Sequence, residues 1–151
     1  REIHLKNGIL IHSGGWKKMQ EQAVSPNDFK KAFLQKTKLS KSYNFYGMVE
    51  QIGSIYLEGP DERLYPPSFS DFIIRDPYTL EPLPAGEEGL IQLLSLLPLS
   101  YPGHSILTSD MGIRHHAKEK NGLEITRRAP KAEVRGCSDS HHAQDVEFRE
   151  F

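Results

Sequence analysis

The chain has a single cysteine, one tryptophan and no run of charge of one sign among its 151 residues. One cysteine excludes an internal disulfide framework and fits a reducing, cytoplasmic setting. The 19 basic and 20 acidic side chains nearly cancel, to a net charge of -1. Without a basic stripe, nucleic acid is not an expected partner. The longest apolar stretch, around Leu90 to Leu99, is broken by Gln92, Ser95 and Pro98. It falls far short of the ~20 residues a membrane span needs. No secretory leader pattern opens the chain. Also missing are a Walker phosphate loop, a Rossmann glycine fingerprint and a Gly-x-Ser-x-Gly elbow.

What is present suits one modest domain or part of one. A hydrophobic fraction of 37% is low for an independent globule of this length, and so is a mean hydropathy of -0.54. Some of the core is therefore expected from more chain or from a partner. The start at Arg1 instead of Met fits a fragment or a processed product.

The pattern reads as mixed α/β, with strand dominating the second half. Gly8 to His12 is a short apolar strand broken by Ser13-Gly14-Gly15, and a helix opens at Trp16 to Gln20. Ser25-Pro26-Asn27-Asp28 predicts a helix start, with Ser as cap and Pro at the first turn. Phe29, Ala32 and Phe33 are expected on one face, with Lys30, Lys31 and Lys38 in water. Phe45 to Glu50 reads as a strand running into a turn, Ser54 to Glu58 as a strand, and Pro60 to Ser70 as a loop. Phe72 to Asp76 and Gly89 to Leu94 read as a strand pair joined by a turn-rich connection. Ser105 to Thr108 is a strand expected to end at Ser109-Asp110, and Leu123 to Arg127 another, after an Asn121-Gly122 turn. From Ser138 onward the tail is polar.

Several residues carry possible chemistry. Tyr46 offers a flat face for a nucleobase, and Gly47 lets the backbone turn beside it. Glu50 is placed to hold Mg²⁺ against a phosphate; the alternative is a core tyrosine with a surface glutamate. Asp110 has the acceptors to bind both hydroxyls of a ribose, or it is an ordinary turn aspartate. Gly14-Gly15 either brings bare backbone to a ligand or makes a tight turn. Arg128 and Arg135 can neutralise phosphate, pin a hinge, or simply be solvated. Cys137 is a candidate nucleophile toward an activated acyl group. Arg135, His141 and His142 nearby favour its thiolate. The alternatives are an inert small side chain, or a zinc half-site that lacks a second ligand pair. His115-His116 reads as an exposed loop pair.

Taken in order, these segments resemble the acyl-protein synthetases of the LuxE type, within the adenylate-forming superfamily. His12-Ser13-Gly14-Gly15-Trp16-Lys17-Lys18 is similar to that family's His-Gly-Gly-Gly-Trp-Lys-Lys segment. Tyr46-Gly47-Met48-Val49-Glu50 is similar to the superfamily's Tyr-Gly-x-Thr-Glu. Gly86 to Ile91 resembles its Gly-Glu-x-Gly-Glu-Ile strand. Leu107-Thr108-Ser109-Asp110 stands where Tyr-x-Thr-Gly-Asp would, and Arg128 to Gly136 resembles its hinge. Ser100-Tyr101-Pro102-Gly103 resembles this synthetase branch. The departures are Val49 for Thr, Ser109 for Gly, Arg127 for the hinge Gly, and Ala129-Pro130-Lys131 after the hinge arginine.

The resemblance implies the C-terminal part of an adenylate-forming α/β domain, a mixed sheet with helices followed by a smaller β-rich subdomain. Residues 1–60 would end the α/β subdomain, 61–137 would form the β-rich part, and 138–151 a polar tail. It implies ATP and Mg²⁺ as cofactors and a long-chain fatty acid as substrate, activated as acyl-adenylate. Gly14, Gly15, Tyr46, Gly47, Asp110 and Arg128 would bind the nucleotide, with Glu50 on the metal and acting in catalysis. Cys137 would carry the acyl group to an acyl reductase subunit, within a homo- or hetero-oligomer. The superfamily's phosphate loop lies upstream of everything here, which implies that residues 1–151 are inactive alone. A coenzyme A ligase of the phenylacetate type, or a nucleotide-binding module without chemistry, would use the same segments.

Overall fold

Alternation of buried and exposed residues, with period 2, marks segments such as Ser70–Arg75 and Glu88–Ser95, and the described residues form a single hydrogen-bonded order of eight strands. In the computed structural model, residues 4, 5, 7–14, 24–116 and 120–129 are described. The elements are β1 (Ile9–Ser13), α1 (Pro26–Thr37), β2 (Lys41–Tyr46), β3 (Tyr56–Glu58), β4 (Leu64–Tyr65), β5 (Ser70–Arg75), β6 (Glu88–Ser95), β7 (Ser105–His115) and β8 (Gly122–Arg128). A one-turn 3-10 helix, Val49–Gln51, follows β2. The strands lie in the order β1-β2-β3-β4-β8-β7-β6-β5. Only β1 and β2 are parallel, with Ile9 opposite Lys41 and Ser13 opposite Phe45. A parallel pair needs a crossover, and α1 lies in it.

α1 begins where the sequence says. The Ser25 hydroxyl accepts from the Asp28 amide at 3.1 Å, and Pro26 occupies the first turn. Lys38 ends the helix in the left-handed conformation and bonds back to the Leu34 carbonyl. Its inner face differs from the expected one. Phe29, Lys30, Phe33 and Leu34 are half-buried and Thr37 is buried, while Ala32 is exposed. Lys30 does not face water: its ammonium meets Glu58 at 2.6 Å, with side-chain exposures of 13% and 8%. The other Glu58 oxygen accepts the Asn44 amide at 2.7 Å. A single carboxylate thus ties α1 and β2 to β3.

Buried side chains from distant strands meet in one cluster: Tyr56, Leu64, Phe72, Ile74, Ile91, Leu93 and Leu123. β3 and β5 are far apart in the strand order, yet the Tyr56 and Phe72 rings meet edge-on at 6.2 Å. The Tyr56 hydroxyl reaches the Asp71 carbonyl at 2.7 Å. The sheet therefore curls over its own concave face and buries that face against itself.

Three segments depart from the sequence reading. β2 begins at Lys41, ahead of Phe45, because pairing with β1 recruits the polar residues 41–44. The segment read as a loop, 60–70, contains β4, held by Leu57↔Tyr65, Glu58↔Leu64 and Leu64↔Leu123. β7 does not end at Asp110 but runs to His115. A register shift between Met111 and Gly112 absorbs the irregularity and lets pairing with β8 continue. His115 accordingly closes a strand, its ring 2.7 Å from Glu124. The helix opening expected at Trp16 lies outside the described residues. Among the described residues, no helix is long and apolar enough to cross a membrane.

Glu58→Ala should lower stability by about 2–3 kcal/mol, because it strands a largely buried ammonium and an amide together. Glu58→Gln should cost less, since it keeps an acceptor for Asn44. Denaturant unfolding measures both; a loss under about 0.5 kcal/mol for the alanine variant would contradict the role given to this carboxylate.

Candidate functional site

Ligands of sheets with parallel strands collect beyond the carboxyl ends of those strands. Here those ends are Ser13-Gly14 on β1 and Tyr46-Gly47 on β2, brought side by side by the Ser13↔Phe45 register. Gly14 holds a φ of +96°, and a Cβ built on it meets no atom within 4 Å. The glycine gives a left-handed turn and leaves bare backbone beside open space. Gly15 lies outside the described residues.

Tyr46 is half-buried at the end of β2. Its ring packs edge-on against Tyr56 at 6.1 Å, and its hydroxyl donates to Asp110 Oδ2 at 2.8 Å. Burial first, and then the Asp110 charge, push the Tyr46 phenol far above its ordinary range. Tyr56 is pushed up as well, by burial and then by Asp71. Asp110 lies in the middle of β7, directly across from Arg128 on β8. The Arg128 Nε donates to Asp110 Oδ1 at 3.2 Å, an opposite-charge cross-strand pair. The Thr108 hydroxyl donates to the Ile91 carbonyl at 2.8 Å and accepts the Asp110 amide at 3.1 Å. It fixes the backbone from which the carboxylate projects.

Tyr46, Asp110 and Arg128 are thus joined directly, although 64 residues separate the first two. Gly47 adjoins Tyr46, and Gly14 ends the neighbouring strand. Glu50 sits on the 3-10 helix, with its residue exposed. Mg²⁺ is usually held by one or two carboxylates together with substrate phosphates and water, so a lone exposed glutamate fits such a role. Among the described residues there is no cluster of three or more histidine, cysteine, aspartate or glutamate side chains that could hold a metal by itself. Cys137, Arg135, His141 and His142 lie outside the described residues.

Sequence reasoning did not single out Tyr56, Thr108 or Gln51, which support these groups from behind. Thr108 had a signal in its place within the Leu107-Thr108-Ser109-Asp110 segment, while nothing in the sequence marks Gln51.

The carboxylate chemistry is specific. Each oxygen of an ionised carboxylate offers about two acceptor sites. Among the described residues Asp110 spends one per oxygen, on Tyr46 and on Arg128, which leaves one on each. A rigid carboxylate with one spare acceptor per oxygen suits a pair of neighbouring hydroxyls.

The sequence model for the family described as Acyl-protein synthetase, LuxE matches residues 3–145. The long-chain-fatty-acid–luciferin-component ligase of Vibrio harveyi is 28% identical over 134 residues, covering 85% of this chain and 35% of that protein. The protein of the same name from Aliivibrio fischeri is 28% identical over 147 residues, covering 90% of this chain and 38% of its own. The chain thus spans little more than a third of the length of these relatives. Among solved structures, a long-chain-fatty-acid-CoA ligase from Archaeoglobus fulgidus superposes with a TM-score of 0.57 at 16% identity, over 85% of this chain and 30% of that one. An amide bond synthetase from Marinactinospora thermotolerans gives 0.53 at 18% identity, over 78% and 25%. The fold is that of part of these synthetase and ligase structures: among the described residues, a mixed sheet with one α-helix.

The two buried phenols give a pH prediction. Their folded pKa values lie above the unfolded value of about 10, so their contribution to stability is complete below that pH and is lost as pH rises beyond it. In an absorbance titration, Tyr46 and Tyr56 should be missing from the reversible ionisation and appear only with unfolding. Tyr46→Phe should remove one phenol from the late group. Ionisation of all six tyrosines of the native chain near pH 10 would contradict the assignment.

Proposed function

This chain belongs to the LuxE family of acyl-protein synthetases, and from that premise we propose that it forms the nucleotide-binding, C-terminal part of a fatty-acid-activating ligase. The observation that supports this best is Asp110, held between Tyr46 and Arg128 beside the carboxyl ends of β1 and β2. In this reading a long-chain fatty carboxylate attacks the α-phosphate of ATP, giving acyl-adenylate and pyrophosphate. Asp110 accepts the ribose hydroxyls. Gly14, Gly15 and Gly47 let backbone approach the base, and Tyr46 bounds it with its ring. Arg128 balances Asp110 and adds positive potential near the phosphates. Glu50 would hold Mg²⁺, which when bound offsets charge building on the phosphate oxygens.

The acyl group then passes from the adenylate to the Cys137 thiolate. A thioester forms, the acyl–phosphate bond breaks and AMP leaves. The thioester supplies an acyl reductase subunit in the cytoplasm, within a homo- or hetero-oligomer. Residues 1–60 carry the end of the α/β subdomain, and the β-rich part follows from residue 61. The named function of the Vibrio and Aliivibrio relatives supports a fatty acid as the substrate.

The test uses the full-length chain with labelled fatty acid, ATP and Mg²⁺. Wild type should form acyl-adenylate and retain label on the denatured protein, released by hydroxylamine. Cys137→Ser should form acyl-adenylate at a rate within about twofold of wild type, because that step needs no thiol, yet retain no hydroxylamine-labile label. Undiminished labelling of that variant would move the acceptor elsewhere. Label that leaves only with added coenzyme A would make this a coenzyme A ligase. Absence of acyl-adenylate in the wild type would leave a nucleotide-binding module.

A further inference from the structure

The exposed Glu50 stands on a peptide that is held from behind. The next residue, Gln51, is 1% exposed. Its Nε2 donates to the Gly103 carbonyl at 2.8 Å and to the Leu93 carbonyl at 3.3 Å. Its Oε1 is buried and has no partner among the described residues. An unmatched buried acceptor is destabilising, a cost that a methionine of similar shape would avoid. What the amide gives in return is a tie from the 3-10 helix to β6 and to the segment that enters β7.

Other contacts reinforce the same junction. The Tyr101 hydroxyl donates to the Glu50 carbonyl. Beyond the helix, the Ser54 and Ser95 hydroxyls, both buried, meet at 2.7 Å. Gly103 is needed for the approach: a Cβ there would lie 2.9 Å from the Glu50 carbonyl oxygen. The run Ser100-Tyr101-Pro102-Gly103 is thereby packed against the peptide that carries Glu50.

We propose that Gln51 is a positioning residue for Glu50: its amide, with Tyr101, clamps the 3-10 helix to the 96–104 segment and fixes where the Glu50 carboxylate stands. The proposal rests on the metal-holding role given to Glu50 above. Small displacements matter at such a group, since misplacement by about 1 Å can cost on the order of a hundredfold in rate. Gln51 itself touches neither nucleotide nor metal in this account, so its effect should pass entirely through Glu50.

The experiment measures, for Gln51→Met, Glu50→Gln and the double variant of the full-length chain, acyl-adenylate formation as Mg²⁺ is varied and, by calorimetry without fatty acid, the Mg²⁺ dependence of ATP binding, which should shift in parallel. Gln51→Met should raise the Mg²⁺ concentration for half-maximal rate about tenfold and lower kcat, with the KM for fatty acid unchanged. In the Glu50→Gln background the same change should have an effect of less than about twofold, because the group it positions is already gone. If Glu50→Gln leaves the Mg²⁺ dependence intact, the Glu50 reading falls and takes this proposal with it. If Glu50→Gln shifts the Mg²⁺ dependence but Gln51→Met acts equally in both backgrounds, the Glu50 reading stands and the positioning role is overturned. Should Gln51→Met fail to fold, Tyr101→Phe removes only the donor to the Glu50 carbonyl from an exposed ring. It should give a shift of about threefold in the same direction, again only when Glu50 is present; no shift would overturn the proposal.

Discussion

One hydrogen bond, from the Tyr46 phenol to the Asp110 carboxylate, connects the parallel edge of this sheet to the middle of its antiparallel half. Its strength comes from burial. Burial holds the Tyr46 phenol in its neutral, hydrogen-bond-donating form, and a charged acceptor makes that bond worth about 1.5–3 kcal/mol. Tyr46 leans edge-on against Tyr56, and Tyr56 against Phe72. A continuous line of contact therefore runs from β7 through β2 and β3 to β5 at the far edge. The curl of the sheet and the placement of the carboxylate are one geometric fact, because a flatter sheet would part Tyr56 from Phe72 and draw Tyr46 away from Asp110.

That coupling bears on chemistry through preorganisation. Asp110 is held at both oxygens by side chains and at its amide by Thr108, so in the proposed role little rotamer freedom would remain to be lost on binding hydroxyls. Glu50 is held differently, through its peptide, with its carboxylate left exposed. The Lys30–Glu58 pair secures α1 and β2 to β3, which keeps the carboxyl ends of β1 and β2 in register with the rest. Ile9 and Ile11 remain 57% and 60% exposed on β1. Strands in parallel pairing are usually covered on both faces, so the fold leaves an apolar strip on this edge strand.

Much of this was legible in the residues. The Ser25-Pro26 helix start, the strand pair around the turn-rich 76–88 connection, and the grouping of Tyr46 with Asp110 all follow from local chemistry or motif order. The errors have a common cause, in that tertiary pairing overrode local pattern. β4 is two residues long and exists only because β3 and β8 flank it. Residues 41–44 look polar, and they read as strand only once β1 is paired alongside them. Lys30 looks solvated until Glu58, 28 positions away, is folded beneath it. The continuation of β7 past Asp110 depends on a register shift that no alternation pattern announces. Gln51 was invisible for the opposite reason: a buried glutamine gives no signal in composition, and only its two carbonyl partners reveal it.

The most direct measurement compares ATP with 2′,3′-dideoxy-ATP as substrate or ligand of the full-length chain, for the native protein and for Asp110→Ala. If Asp110 holds the ribose, the native protein prefers ATP by about tenfold or more, as expected when a site built for hydroxyls meets a ligand lacking them. The variant should lose that preference, binding both nucleotides with similar, weaker affinity. An undiminished preference for ATP in Asp110→Ala would contradict the account.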